Sequence, residues 1–177
     1  MGTGFNLSGR YGVEGGRVDV IRGLTSRESG FDAGRAALAG AAGCVAYLAE
    51  MAVDLPLLDY PSDDLLLLGG LFSTDRRVWP LVGVALHFAN GVALAQVYAA
   101  VGHRLPGPPW ARGLVFTLIE NTVLWSIVPL FDRYHPAIQA GLLPKMNRPI
   151  PFAQQVLRHV AYGAVLGAVY GRGGGRR

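Results

Sequence analysis

Residues 79 to 101 read WPLVGVALHFANGVALAQVYAAV, a stretch without a single Asp, Glu, Lys or Arg. A bilayer core about 30 Å thick requires about 20 apolar helical residues to cross it. An uncharged apolar stretch of this length is typical of a transmembrane helix, whereas buried helices of soluble proteins are usually shorter or more polar. This stretch therefore decides the fold class and makes an integral membrane protein the leading prediction.

Three further segments of the chain resemble it. Residues 34 to 53 and 112 to 131 are mostly apolar, with an Arg at or next to their first position and one Glu in each, Glu50 and Glu120. Residues 151 to 171 are less apolar, because polar side chains crowd their first two turns. Only 16% of the 177 residues are charged, against about 25% in ordinary soluble domains. The sequence predicts an all-α integral membrane four-helix bundle, with residues 65 to 72 (LLLLGGLF) as a short interfacial helix.

The orientation in the membrane follows from Lys and Arg residues near the ends of the spans, because cytoplasmic segments carry an excess of them. The side that holds both termini and the loop after the second span carries ten of these residues, and the other side carries five. The ten are Arg10, Arg17, Arg22, Arg27, Arg35, Arg104, Arg112, Arg172, Arg176 and Arg177. Both termini are therefore predicted to be cytoplasmic, with the chain in the cytoplasmic (inner) membrane.

The chain divides into three predicted parts: a flexible cytoplasmic arm (residues 1 to 33), a membrane domain (residues 34 to 171) and a basic tail (residues 172 to 177). The net charge is +4, but the basic residues flank the apolar spans and do not line one helix face. This distribution indicates attraction to anionic lipid headgroups at the cytoplasmic face and argues against nucleic-acid binding. Another membrane protein is a possible partner of such a domain.

The chain contains an internal repeat of helical hairpins. Residues 87 to 98 (HFANGVALAQVY) and 159 to 170 (HVAYGAVLGAVY) share six of 12 positions at an offset of 72 residues. LPLLD at 55 to 59 and VPLFD at 128 to 132 repeat at an offset of 73. Two matches at nearly the same offset indicate a tandem duplication. Repeat one spans residues 34 to 101 and repeat two spans residues 112 to 171.

The duplication predicts that His87 and His159 lie at one depth, related by an axis along the membrane normal. Each histidine falls within a stripe of small residues at four-residue spacing, a pattern that lets two helices approach closely in lipid. We therefore expect the second and fourth spans to cross at the axis, with the imidazoles facing each other or a shared gap. The predicted helix-packing residues are Gly83, Gly91, Gly163 and Gly167.

Other polar residues are predicted at a similar depth. Glu120 and Asn121 lie about 12 to 14 Å from the inner boundary of the third span, level with Asn90 and within one helical turn of His87 and His159. Ionisable groups inside a membrane are costly and mark a candidate site by default. These five residues form the predicted intramembrane polar site. No catalytic residue and no metal ligand is predicted among them. Glu50 and Arg158 are interpreted as residues that snorkel to the outer headgroups.

The histidine pair allows three interpretations. The imidazoles could form hydrogen bonds that hold the two helices together, or they could bind a proton or a small ligand. They could also be the two axial ligands of a b-type haem, with Gly91 and Gly163 leaving room for the macrocycle. The glycine stripes argue against haem, because they predict helices too close to admit it.

The sequence contains no phosphate loop, no HExxH, no GxSxG and no Cys/His metal spacing, so an enzyme is not predicted. The predicted function is a membrane accessory protein or a small-solute or proton-handling protein without a cofactor. The alternatives are a bis-His membrane cytochrome with haem b and a structural subunit of a larger membrane complex.

The pattern resembles small uncharacterised multi-pass bacterial inner-membrane proteins of the YagU-like group, a domain of unknown function. The resemblance covers about residues 34 to 171 and depends on short motifs in the second and fourth spans. The matching residues are Trp79, Pro80, Leu81, Gly83, His87, Gly91, His159 and Gly163. It implies a multi-pass membrane protein with no agreed activity.

Overall fold

The computed structural model describes residues 31 to 172, and all regular secondary structure within that range is helical. The helices are α1 (Ala33–Leu58), α2 (Asp64–Gly69), α3 (Trp79–Val101), a 3-10 turn (Gly102–Arg104), α4 (Pro109–Trp125), α5 (Val128–Tyr134), α6 (Pro136–Gln139) and α7 (Pro149–Gly171). The prediction of an all-α chain is confirmed for these residues. The predicted arm up to residue 30 and the predicted tail from residue 173 lie outside the described residues.

Helix α1 begins at an acidic cap and is longer than the predicted span. The Asp32 side chain accepts a hydrogen bond from the backbone N–H of Arg35 at 2.9 Å, which satisfies an otherwise free donor of the first turn. The same hydrogen bond lowers the pKa of Asp32 below its usual value. At its other end, α1 continues past Val53 through Pro56 to Leu58, and the C-cap residue Asp59 adopts a left-handed conformation with φ 48°. The extension carries Asp54 into the interior of the bundle, where it is 2% exposed.

Two helical segments are long and apolar enough to cross a membrane by themselves, namely Ala33–Leu58 and Trp79–Arg104. Helices α4 and α5 are apolar enough as a pair, and they meet at a bend of 45°. The bend corrects the prediction of one continuous span over residues 112 to 131. Its cause is Pro129, which lacks an N–H and whose ring clashes with the preceding turn of a continuous helix. The described residues therefore contain two candidate spans, or three if the bent pair counts as one.

The helices pack in an open arrangement with α7 at its centre. Helices α1 and α4 both pack along α7, α3 packs against α1, and α2 packs against α3. Helices α3 and α4 make no comparable contact with each other. The bundle therefore has a gap between α3 and α4, while α1 and α7 are in close contact.

The small-residue stripes of α3 and α7 face other helices than predicted. A Cβ at Gly163 or Gly167 would overlap α4, at Thr117 and at Pro109 respectively. A Cβ at Gly83 would overlap the backbone of α2 at Leu65. The prediction that the two stripes cross each other at a common axis is therefore wrong. The physical reason is that each stripe accommodates the nearest helix of its own hairpin, so α3 and α7 meet through larger side chains.

Helix α2 packs into the core through Leu66, and its predicted place at the membrane interface stays a prediction. Asp63 caps it by accepting hydrogen bonds from the backbone N–H groups of Leu65 and Leu66, and Leu66 is buried. The buried His135 ring, at the start of α6, is 2.7 Å from the carbonyl oxygen of Leu67. A carbonyl can only accept, so this ring nitrogen carries the proton and joins the two loop regions by a hydrogen bond.

Candidate functional site

The five residues of the predicted polar layer all line one cavity of about 270 Å³. Side chains of α1, α2, α3, α4, α5 and α7 line the cavity. Asn121 is buried, while Asn90 is exposed. The predicted residues at the cavity are His87, Asn90, Glu120, Asn121 and His159.

His159 and Glu120 form a pair on one side of this polar cavity. The Nε2 atom of His159 is 3.0 Å from Oε2 of Glu120, and both side chains are less than 15% exposed. The other ring nitrogen, Nδ1, is 2.7 Å from the carbonyl oxygen of Gln155, so Nδ1 carries a proton. Oε2 of Glu120 has no well-directed hydrogen bond within residues 31 to 172, and it faces Nε2. The two groups are therefore close enough to share one proton.

His87 reaches the cavity from α3. Its Nε2 atom is buried and has no hydrogen-bond partner in the described residues. The ring of Tyr47 packs against both imidazoles, with centroid distances of 4.8 Å to His87 and 5.4 Å to His159. The two histidines therefore face a shared space through a common aromatic neighbour, and they do not form a hydrogen bond with each other.

This geometry bears on haem ligation by His87 and His159. An axial histidine needs a free nitrogen that points at the iron. Both nitrogens of His159 have protein partners, and the Tyr47 ring packs against each of the two imidazoles. The arrangement fits a protonatable histidine-carboxyl pair with a neighbouring free imidazole better than it fits a pair of axial ligands.

Arg158 is the centre of a buried ionic network next to the cavity. Its side chain is fully buried, and its Nε donates to Asp54 at 2.6 Å while Nη2 donates to the second oxygen of the same carboxylate. Nη1 donates to Asp64 at 2.6 Å and to the backbone carbonyl of Ser62 at 2.7 Å. Gln154 also donates to Asp54, at 3.2 Å. Charged groups with this many partners are the form in which proteins tolerate ionised side chains in the interior.

The interpretation of Arg158 as a snorkelling residue is therefore wrong. Its side chain points into the bundle because Asp54 and Asp64 lie there, and the nearer Glu50 oxygen is 4.0 Å away. Sequence reasoning missed Asp54, Asp64 and Tyr47 as parts of the site. The available signal was the spacing of Gln154, Gln155, Arg158 and His159, which places four polar side chains on one face of an apolar helix.

The network and the cavity share three side chains. The Tyr47 hydroxyl lies 2.6 Å from Asp64 and 2.8 Å from the amide oxygen of Gln155, and it donates its single proton to one of these two acceptors. Gln155 in turn donates to Asp64 and accepts from His159 through its backbone carbonyl. His159 is therefore connected to the Arg158 network through two hydrogen bonds, one from its ring to Gln155 and one from Gln155 to Asp64.

No group of three or more His, Cys, Asp or Glu side chains with metal-binding geometry occurs between residues 31 and 172. The chain was compared with curated proteins, solved structures and protein-family models. No curated protein and no solved structure matches it. A model of a protein family of unknown function, DUF6789, matches residues 31 to 177, which is most of the chain, so the chain belongs to this family.

Proposed function

We propose that the protein is a multi-pass membrane protein in which α1, α3, the bent pair α4–α5 and α7 are four spans. The support for α7 as a span is the distribution of its side chains. Its polar residues Gln154, Gln155 and Arg158 are buried against other helices. The exposed large hydrophobic side chains of α7 are Ile150, Phe152, Leu157 and Val160. Lipid would therefore meet an apolar surface, although the mean hydropathy of the helix is lowered by residues that face the protein.

The four spans are two tandem units, repeat one (residues 34 to 101) and repeat two (residues 112 to 171), and equivalent positions make equivalent helix contacts. A Cβ at Gly40 of α1 would overlap Gly91 and Ala95 of α3. A Cβ at Gly113 of α4 would overlap Gly163 and Gly167 of α7, and all three positions are 72 or 73 residues further along the chain. The same helix crossing therefore occurs once in each unit.

Hydrogen bonds repeat at the same offset. Cys44 contacts the carbonyl oxygen of His87 through its sulfur at 3.6 Å, and Thr117 donates to the carbonyl oxygen of His159 at 2.9 Å. The short helices α2 and α6 are capped by Asp63 and His135, which are also 72 residues apart. Both the crossing and its polar contact therefore support the duplication.

Both ends of the described chain are proposed to face the cytoplasm, with basic residues such as Arg104 and Arg112 near anionic lipid. In a Cys44→Ala background, single cysteines at Thr74 and Ala140 are expected to react with a membrane-impermeant maleimide on intact cells. A cysteine at His103 is expected to react only after the cells are opened. All three positions are exposed in the structure. Labelling of His103→Cys alone in intact cells would reverse the proposed orientation.

The proposed activity is non-enzymatic proton or small-solute handling in the cytoplasmic membrane. The observation that carries it is the His159–Glu120 pair, in which a ring nitrogen and a carboxyl oxygen lie 3.0 Å apart inside the bundle, beside a cavity. The unpartnered Nε2 of His87 in the same cavity provides a second position for a proton or a polar ligand. The resemblance to YagU-like proteins stays a prediction. It neither supports nor opposes the proposed activity.

Infrared difference spectra between acidic and alkaline buffer test the pair directly. We expect the purified protein to show a carboxyl band that changes with pH and is lost in Glu120→Gln, because the amide cannot bind the shared proton. The band should shift in His159→Phe, since the carboxyl group then loses its partner. Glu50→Gln is the matched control, because Glu50 lies outside the cavity and its replacement should leave the Glu120 band in place. A carboxyl spectrum that is the same in Glu120→Gln and the unmodified protein would overturn the proposal.

A further inference from the structure

The gap between α3 and α4 contains an apolar groove of about 520 Å³ next to the polar cavity. The groove is lined by apolar side chains of both helices, among them Val97, Val101, Phe116, Ile119 and Val123. Leu94, Glu120 and Leu124 line both the groove and the cavity. The two spaces therefore adjoin and form one cleft, with a polar end inside the bundle and an apolar end along its surface.

The cleft has the size of a small-molecule site. Ligand pockets have volumes of about 300 to 1,000 Å³, and the groove alone falls within that range. Three residues along the groove are more than half exposed: Val97, Ile119 and Val123. In the proposed membrane orientation this opening faces lipid, so the occupant reaches the cleft from the bilayer and carries an apolar chain.

The side chains at the polar end of the cleft determine which kind of head group the ligand can have. Arg158 is the nearest buried cation, and its five N–H donors are already directed at Asp54, Asp64 and Ser62. Two acidic residues, Asp64 and Glu120, line the cavity, which disfavours an anionic head such as a carboxylate or phosphate there. Arg104 lines the groove, but it is exposed and lies in the 3-10 turn after α3, ten residues beyond Leu94 at the junction with the cavity. The amides of Asn90 and Asn121 make no hydrogen bond in the described part of the chain and can donate to a neutral acceptor.

Aromatic rings surround these donors. Tyr47, Trp125, Phe131 and Tyr162 line the cavity together with the two imidazoles. Aromatic side chains favour planar ring partners through stacking and edge contacts. A flat, uncharged ring with hydrogen-bond acceptors at its edges uses both the rings and the free donors, whereas a glycerol or sugar head would use only the donors.

We propose that the cleft binds a lipid-soluble quinone, with its ring among the aromatic residues of the cavity and its apolar chain in the groove. The ring carbonyls accept hydrogen bonds from His87 Nε2 on α3 and from the Asn121 amide on α4. This inference shares its cavity with the proposed proton-binding pair and depends on the proposed function only for the orientation of the cleft toward lipid.

Trp125 gives an intrinsic reporter of binding, because it lines the cavity. A Trp79→Phe, Trp110→Phe variant retains it as the single tryptophan. In phosphatidylcholine vesicles, a benzoquinone with a decyl chain is expected to quench Trp125 fluorescence with saturation at a low mole fraction in the bilayer. Decanoic acid should not compete, because its head is anionic, and a benzoquinone without a chain should bind at least about tenfold more weakly because it leaves the groove empty.

Two variants locate the quinone in the cleft. Leu94→Phe fills the junction of cavity and groove and is expected to weaken binding about tenfold or more. Leu81→Phe is the matched control, since Leu81 is on the same helix, 75% exposed and outside both spaces, and it should change the affinity less than about twofold. Asn121→Leu is expected to weaken binding about fivefold through the loss of one hydrogen bond.

Quenching that rises linearly with quinone content and never saturates would overturn the inference, because it reports free partition into lipid. Equal effects of Leu94→Phe and Leu81→Phe, or effective competition by decanoic acid or by a monoacylglycerol of equal chain length, would overturn it as well. The infrared test of Glu120 does not depend on a ligand. Loss of quinone binding with an intact Glu120 band therefore refutes this inference alone, and the converse refutes the proton-binding proposal alone.

Discussion

Arg158→Met is expected to lower the free energy of unfolding by about 3 to 5 kcal/mol, because it leaves Asp54 and Asp64 buried without their cation. Much of the protein should then fail to accumulate in the membrane, since total stabilities are about 5 to 15 kcal/mol. The measurement is unfolding by SDS in mixed micelles, followed by helical circular dichroism, together with the yield from the membrane fraction.

The cause is tested by removing the acidic partners as well. The triple variant Arg158→Met, Asp54→Asn, Asp64→Asn should recover most of the lost stability, because replacing a whole buried ionic group is often close to neutral. Arg172→Met, at the C-cap of the same helix, is the control and should have little effect, since Arg172 is exposed. A single Arg158→Met variant as stable as the Arg172→Met control would show that the network does not hold the bundle together.

Gly113→Val is expected to be similarly severe, because it acts on the contact between α4 and α7. A Cβ at Gly113 would overlap the carbonyl oxygen of Gly163, and backbone atoms cannot move aside as a flexible side chain can. Overpacking of a tight contact costs about 1 to 3 kcal/mol and occasionally more, and a backbone obstacle places this variant at the upper end. The same SDS unfolding measures it, and the His159–Glu120 pair should be lost because its two residues belong to the separated helices.

Gly34→Ala is the matched control for this substitution. Gly34 lies in the first turn of α1, and a Cβ there meets only Asp32, at an ordinary distance of 3.6 Å. Alanine favours the helix over glycine by about 1 kcal/mol, so this variant should be as stable as the unmodified protein or slightly more so. Equal destabilisation by both variants would mean that the close approach of α4 and α7 is not what excludes a side chain at Gly113.

The helices and the grouping of the polar residues could be predicted from the sequence, because each requires the properties of only one segment at a time. Helix α3 begins and ends at the predicted residues. Counting residues from a span end placed Asn90, Glu120 and the two histidines within one helical turn in depth, and all four line one cavity. The family match likewise confirms the expectation of an uncharacterised domain. Hydropathy and helical rise are properties of one segment, so they require no knowledge of how segments pair.

Which helices pack against each other could not be predicted in the same way. A stripe such as Gly163 and Gly167 indicates a close contact without indicating which helix makes it, and the duplication suggested α3 when the contact is with α4. The burial of Arg158 depends on Asp54 and Asp64, two carboxylates that lie about 100 residues earlier and outside any recognised motif. Long-range charge pairing of this kind becomes visible only when the three elements are seen together.

The Arg158 network has a consequence for biosynthesis. Asp54 and Asp64 precede Arg158 by 104 and 94 residues, and at about 5 to 20 residues per second a ribosome needs about 5 to 20 s to make that interval. During this time the first half of the nascent chain carries carboxylates whose counter-ion has not yet been translated. A prematurely terminated chain that ends before α7 lacks the Arg158 guanidinium, so its two carboxyl groups must be protonated or stay exposed to water. The buried network can therefore assemble only after α7, the last of the described helices, has been synthesised.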